Sequence, residues 1–211
     1  MPIYNGIEYI GESVSSILNQ TYADWELIIG VNGHEQMSAI FLIAKQYEKH
    51  ANIRVLDLYN IRGKSNALNE MVKYCQYDYI ALLDVDDIWY PQKLKLQSVY
   101  LNKFDVIGTN CIYFGDLNVV PKLPLGDLSS TNFFEYNPII NSSCIIRKEL
   151  CLWNKKYDGV EDYELWLRLK KIGKTFFNLA DILIKHRIHK QSAFNTKDHS
   201  LEIAEIKRLH S

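Results

Sequence analysis

Short apolar runs alternate with stretches of helical period along most of this 211-residue chain, and that alternation is the strongest constraint on its fold. Trp25 to Val31 is apolar and closed by Asn32-Gly33, which predicts a buried strand followed by a turn. Ile53 to Leu58, Tyr79 to Leu83 and Val106 to Phe114 repeat the pattern, and Phe176 to Leu179 and Ile182 to Ile188 read as two further strands. Between them, Ile7, Ile10, Val14, Ile17 and Leu18 recur at helical spacing. Met37 to His50, Ser65 to Tyr74, Gln92 to Leu101 (with Pro91 at its first position), Glu161 to Lys171 and His199 to Leu209 read as helices as well. Strands alternating with helices predict an α/β layer structure with a largely parallel sheet in a single domain. Gly115 to Tyr136, rich in Pro, Gly, Asn and Ser, predicts a long irregular excursion, and Ile139 to Arg147 a return to regular structure.

Composition narrows the function classes. A formal charge of -1 argues against a broad basic face for nucleic acid. The four cysteines (Cys75, Cys111, Cys144 and Cys151) contain no C-x-x-C pair, which argues against a zinc or thiol-redox site and predicts free thiols in a reducing compartment. No apolar run reaches the roughly 18–20 residues of a spanning helix, so the expectation is a soluble cytoplasmic protein without a transmembrane segment. Any peripheral membrane attachment would come through a partner or a segment outside this sequence.

The most informative local feature is the run Asp84-Val85-Asp86-Asp87 directly after the apolar stretch Tyr79 to Leu83. Packing gives no reason for a buried parallel strand to end in three carboxylates, and open α/β sheets bind ligands outside the carboxyl ends of their strands. Carboxylates one residue apart can share a hard divalent cation that bridges phosphate oxygens. Alternatively, an acidic turn would cap the following helix, a role suited to Asp87. A second pair, Glu161-Asp162, opens a predicted helix, where the macrodipole favours acids and where one of them could act as a general base. Near the end, His186-Arg187-Ile188-His189 in a strand would put Arg187 and His189 on one face, suited to phosphate or metal.

Taken together these segments resemble glycosyltransferase family 2, inverting enzymes of the GT-A fold. The likeness starts at Pro2-Ile3-Tyr4-Asn5-Gly6 (P-x-Y-N) and continues through Ser16-Ile17-Leu18-Asn19-Gln20-Thr21-Tyr22 and Trp25-Glu26-Leu27-Ile28-Ile29. It then runs through Gly63-Lys64-Ser65-Asn66-Ala67-Leu68-Asn69, the Asp84–Asp87 run up to Pro91, Gly159-Val160-Glu161-Asp162-Tyr163-Glu164-Leu165-Trp166, and Arg187-Ile188-His189. Their order and spacing cover nearly the whole chain.

The resemblance implies a Rossmann-like, mostly parallel sheet flanked by helices, with residues 1–115 as the nucleotide-sugar-binding half and 116–211 as the acceptor-binding half. It implies a divalent cation, Mn2+ or Mg2+, held by Asp84 and Asp86 with Asp87 and His189. Asp162 would be the base, with Glu161 as the fallback. Pro2, Tyr4, Asn5, Asn32, Lys64, Asn69, Asp84, Val85, Asp86 and Arg187 would hold the donor, a UDP-hexose by analogy. Trp166, Asn141 and Ser142 would face a carbohydrate-bearing acceptor: a glycan, a lipid-linked sugar or a protein. Two departures stand out. Gly30-Val31-Asn32-Gly33-His34 replaces the family's D-D-G-S, leaving the Asn32 amide, which both donates and accepts, to meet a uracil edge. The first strand must also be very short, or the sequence lacks a few residues before it. Two rival readings are a haloacid-dehalogenase-like phosphatase, whose D-x-D nucleophile resembles Asp84-Val85-Asp86, and a non-catalytic nucleotide- or carbohydrate-binding domain.

Overall fold

The computed structural model describes residues 1–190 and 197–211. Three parallel strands form one sheet in the order β1 (Pro2–Ile3), β2 (Leu27–Asn32), β3 (Ile53–Leu58). Pro2 lies opposite Gly30, and Leu27 opposite Ile53. All six residues of β2 are buried, the signature of a strand covered on both faces. α1 (Ile10–Leu18) buries Ile10, Val14 and Ile17, spaced as one helical stripe, and joins the core around β2. Gln20, just past α1, donates to the Tyr90 carbonyl at 2.9 Å and accepts from the Leu94 amide at 3.0 Å, fastening α1 to the start of α4 (Lys93–Ser98). α2 (Ala39–Lys45) is capped by the Ser38 hydroxyl, and α3 (Lys64–Met71) buries Ala67, Leu68 and Met71. Both helices are shorter than expected because their last turns tighten into 3-10 geometry over Gln46–Lys49 and Val72–Tyr74.

The second sheet is mixed, ordered β4 (Tyr79–Ala81), β8 (Ile145–Arg147), β6 (Val106–Gly115), β9 (Phe176–Ile188), β5 (Ile88–Trp89), with β7 (Gly126–Asp127) also paired to β9. Its backbone is the long parallel pair β6–β9, whose register slips around Asn110. That irregularity lets β9 run unbroken where the sequence suggested two strands. The expectation of a buried parallel strand before the acids needs correction. β4 pairs antiparallel with β8, its three residues are half-buried, and the fully buried residues are Leu82 and Leu83 beyond its end. Residues 116–136 are irregular apart from β7 and an isolated bridge between Tyr113 and Val119.

α5 (Glu161–Lys171) starts and stops as the sequence indicated, with three acids in its first turn and three basic residues in its last, matching the helix dipole. It buries Leu165, Trp166, Leu167 and Leu169 in a second core that also takes Ile206 from α6 (Ser200–His210). No helix among the described residues is long and apolar enough to cross a membrane.

Candidate active site

The turn after Leu83 is closed by a hydrogen bond from the Asp87 amide to the Asp84 carbonyl at 3.1 Å. β5 follows at once and pairs Ile88 with Lys185, bringing the turn up against residues 186–189. Asp87 is fully buried, with one oxygen on His186 Nδ1 at 2.9 Å and the other accepting from the Arg187 amide at 2.8 Å. Burial pushes the His186 imidazolium down, but the Asp87 charge and hydrogen bond outweigh it and raise its pKa to about 9. Asp87 therefore anchors the turn through an ion pair, with one oxygen holding His186 and the other the Arg187 amide.

Asp86 points the other way, its Oδ2 at 2.9 Å from His189 Nε2. Burial, followed by the neighbouring Asp87 and Asp84 charges, holds its carboxyl above the usual range. Arg187 donates from Nε to the Asp86 carbonyl at 2.9 Å and pairs with Glu12 at 3.0 Å, and its guanidinium lies 4.3 Å from the ring centres of both Tyr9 and Phe114. Strand alternation predicted Arg187 and His189 together with His186 opposite. Instead all three address the acidic turn: His189 lies past the last residue of β9, and Asp87 reaches His186.

The third acid faces a different partner. Gly63, at φ +86°, turns the chain into α3 with no room for a Cβ, because one would overlap the Asp158 carboxylate that accepts from the Ser65 amide at 2.9 Å. That geometry aims Lys64, the first residue of α3, at Asp84 Oδ1 (2.8 Å) and Glu161 Oε1 (3.1 Å). Burial pushes the Lys64 ammonium down, and the two carboxylates more than reverse it, holding its pKa well above the ordinary value. Burial likewise raises the Asp84 carboxyl, but Lys64, then Asn141 and His186, bring it below its ordinary value. Asn141 Nδ2 donates to Asp84 Oδ2 at 3.1 Å, and the Asp84 amide donates to Ser142 Oγ at 3.0 Å.

At the start of α5, Glu161 is 3% exposed, and its second oxygen accepts from the Gly159 amide at 2.6 Å. Glu161 thus holds Lys64 and its own turn, and its burial leaves it little surface to offer an acceptor. Asp162 is half-buried, accepting from the Tyr163 amide at 2.7 Å and from Asn137 Nδ2 at 3.0 Å. Burial first, then the adjacent Glu161 charge, raises its carboxyl to about 6, a value suited to a general base near neutrality.

Among the described residues no three acidic, histidine or cysteine side chains converge as a metal cage. The Asp86–His189 pair nevertheless offers one hard oxygen and one imidazole nitrogen side by side. This suits a Mn2+ or Mg2+ ion that completes its shell with phosphate oxygens and water.

The remaining expected residues divide. Tyr4 is exposed and stacks on His34, ring centres 5.1 Å apart, over Gly33, with His34 Nε2 2.6 Å from the Tyr4 carbonyl. Pro2 is half-buried in β1, Asn5 is exposed, and Asn32 is buried at the end of β2. Val85 is buried in the core, with Gly6 close against it. Asn69 ties α3 to the Trp153 backbone through both ends of its amide, at 2.8 and 2.9 Å. Trp166 is 0% exposed against Phe176, so it fills the core and offers no surface to an acceptor. Truncating it would cost about 3–5 kcal/mol of stability. Ser142 is fully buried behind Asp84 and supports that residue without facing a ligand.

The family model described as Glycosyl transferase family 2 matches residues 1–148. This chain belongs to glycosyl transferase family 2. Among relatives of this family 2 transferase, the O-antigen biosynthesis glycosyltransferase WbnJ of Escherichia coli is 32% identical, over 91% of this chain and 79% of WbnJ. WfgD of Escherichia coli, a UDP-Glc:alpha-D-GlcNAc-diphosphoundecaprenol beta-1,3-glucosyltransferase, is 27% identical over 93% of this chain and 79% of its own. The crystal structure of Staphylococcus aureus TarS 1-349 with UDP-GlcNAc superposes with a TM-score of 0.75 at 17% identity, over 99% of this chain and 63% of that one. The mannosyltransferase PcManGT of Pyrobaculum calidifontis, in complex with GDP-Man and Mn2+, gives 0.66 at 15% identity, over 91% and 56%. These likenesses establish the GT-A fold, and family membership sets the phosphatase reading aside. His186 and Asn137 are the site residues that the motif reading left out. His186 was within the quoted string but on the wrong face, and Asn137 lies in an irregular loop without a spacing signal.

Proposed function

We propose that this family 2 transferase moves a sugar from a nucleoside diphosphate donor, UDP-sugar first, to a hydroxyl of a lipid-linked saccharide, with inversion at the anomeric carbon. The observation that carries the reading is Asp162: a half-buried carboxylate with a raised pKa, one residue from the Glu161–Lys64–Asp84 bridge. The donor preference rests on the UDP-sugars named for WfgD and TarS, and the acceptor class on the diphosphoundecaprenol named for WfgD.

In this reading the donor lies mainly against residues 1–115, with Arg187 and His189 reaching it from the 116–211 half that meets the acceptor. The exposed Tyr4 ring supports the nucleoside base. Lys64 and Arg187 present positive charge to the diphosphate, and the fixed position of Arg187 between two rings reduces the ordering that donor binding requires. A divalent ion, when bound by Asp86 and His189, supplies further positive charge to the diphosphate oxygens. Asp162 takes the proton of the acceptor hydroxyl as its oxygen bonds to the anomeric carbon. The bond to the diphosphate breaks on the opposite face, and the electron pair leaves with the diphosphate. Such an acceptor would be met at a membrane surface.

The test is a donor panel (UDP-glucose, UDP-N-acetylglucosamine, UDP-galactose, GDP-mannose) with Mn2+ and a diphosphoundecaprenol-linked monosaccharide, following nucleoside diphosphate release and product mass. Asp162→Asn should lower transfer by about 10²–10⁴-fold while UDP still binds. Undiminished transfer by that variant would remove Asp162 from the reaction. Nucleotide binding with no transfer to any acceptor by the unaltered chain would favour a binding module.

A further inference from the structure

Lys93 is a lysine with no exposed surface, in a protein whose charged residues otherwise reach water or one another. It is the first residue of α4, four positions after Trp89. Its ammonium sits 4.0 Å from the centre of the Trp89 ring and donates to Gln97 Oε1 at 2.7 Å. Each partner reaches onward to the same short segment, the 3-10 turn Asn141–Ser143. Trp89 Nε1 donates to the Ser142 carbonyl at 2.8 Å. Gln97 Nε2 donates to the Ser143 carbonyl at 2.9 Å and to the Ile107 carbonyl at 2.7 Å. The turn so held is the one that places Asn141 on the Asp84 carboxylate and the Ser142 hydroxyl on the Asp84 amide.

We infer that Lys93 is a positioning residue for the donor site: by joining Trp89 to Gln97 it fixes the Asn141–Ser143 turn and, through that turn, the direction of Asp84. The lysine amine serves both arms at once, giving one N–H to the amide oxygen and, when protonated, its charge to the indole face. Burial lowers its pKa to about 7, opposed by the Cys144 sulfur, so keeping an amine here is costly and an apolar residue would pack more cheaply. With Lys93 as methionine the stem is kept, but the Gln97 oxygen loses its donor and the indole its cation. Trp89 and Gln97 are then free to shift, and the turn with them.

The relevance to donor binding rests on the proposed function; the mechanical tie does not, so the two are tested separately. Amide hydrogen exchange is measured on the unliganded chain and on Lys93→Met, and UDP affinity is measured by calorimetry with Mn2+. Expected are exchange at the Asp84 and Cys144 amides faster by roughly tenfold, unchanged exchange in α1 and α5, and UDP affinity weaker by roughly tenfold. Trp89→Phe keeps a ring for the ammonium but loses the bond to Ser142, and should weaken UDP similarly. The double variant should be no worse than the poorer single one, because both act through one turn. If Lys93→Met does not fold, Trp89→Phe alone decides. Unchanged exchange at Asp84, loosening spread evenly over the protein, unchanged UDP affinity or additive losses would each overturn the inference. Failure of the unaltered chain to bind UDP or GDP would sink the donor reading, and the exchange data would then decide the tie.

Discussion

Replacing Lys64 by methionine tests the electrostatics of the site. Lys64 is the counter-ion of Asp84 and Glu161, and its loss leaves those carboxylates and Asp162 clustered without a cation. Removing one partner of a buried pair costs about 3–5 kcal/mol. The Lys64 and Asp84 side chains keep 26% and 25% of their exposure, so water softens the loss to about 2–3 kcal/mol. For a chain of this size that is a fall in Tm of roughly 4–12 °C. The pH dependence is the sharper part. Lys64 holds the Asp84 carboxyl below its ordinary value, so the pair stabilises the protein at neutral pH and fades as acid protonates Asp84. In the variant Asp162, already raised to about 6 by burial and the Glu161 charge, loses the opposing Lys64 charge and moves further up, so acid relieves a repulsion that is stronger than in the parent. The gap between parent and variant should therefore shrink from pH 7.5 to pH 5. Thermal melts in EDTA at the two pH values measure it. An equal gap at both, or one below about 1 °C at pH 7.5, would refute the reasoning.

Other consequences are as direct. Because the base must be ionised and the Asp162 pKa is near 6, kcat/KM should rise through about pH 6 to a plateau. A profile flat down to pH 5 would exclude it. The raised His186 pKa, about 9, gives the Asp87–His186 pair a stabilising effect that is full below about 6.5 and lost as pH rises through 9. Asp87→Asn should consequently cost more stability at pH 6 than at pH 9.5 by urea unfolding, and equal costs would count against the ion pair. Gly63→Ala should destabilise strongly, since the backbone has φ +86° and Asp158 fills the space; a melt within 2 °C of the parent would contradict that.

Much of this was legible in the sequence, for identifiable reasons. α5 begins at Glu161 as its acidic first turn indicated, and β3 keeps the bounds of its apolar run. Residue spacing gives no link between the acids at 84–87 and the residues at 186–189, which only the family resemblance joins, and the fold brings them together through β5 and β9. The direction of β4 was not legible, because apolar runs look alike in parallel and antiparallel strands. The resemblance implied that Trp166 faces the acceptor, yet its ring is fully buried against Phe176, and nothing in the local sequence marks which side of the helix the core covers. The Lys64–Glu161 contact and the Lys93 tie join residues far apart in the chain, and a single sequence carries no signal for such pairs.

The most direct measurement is a crystal structure of Asp162→Asn grown with a UDP-sugar and Mn2+. The account predicts the diphosphate between Lys64, Arg187 and the Asp86–His189 pair, the uracil against Tyr4, and residue 162 facing the anomeric carbon from the side opposite the diphosphate. A nucleotide bound elsewhere, or bound here with residue 162 turned away from the sugar, would contradict it.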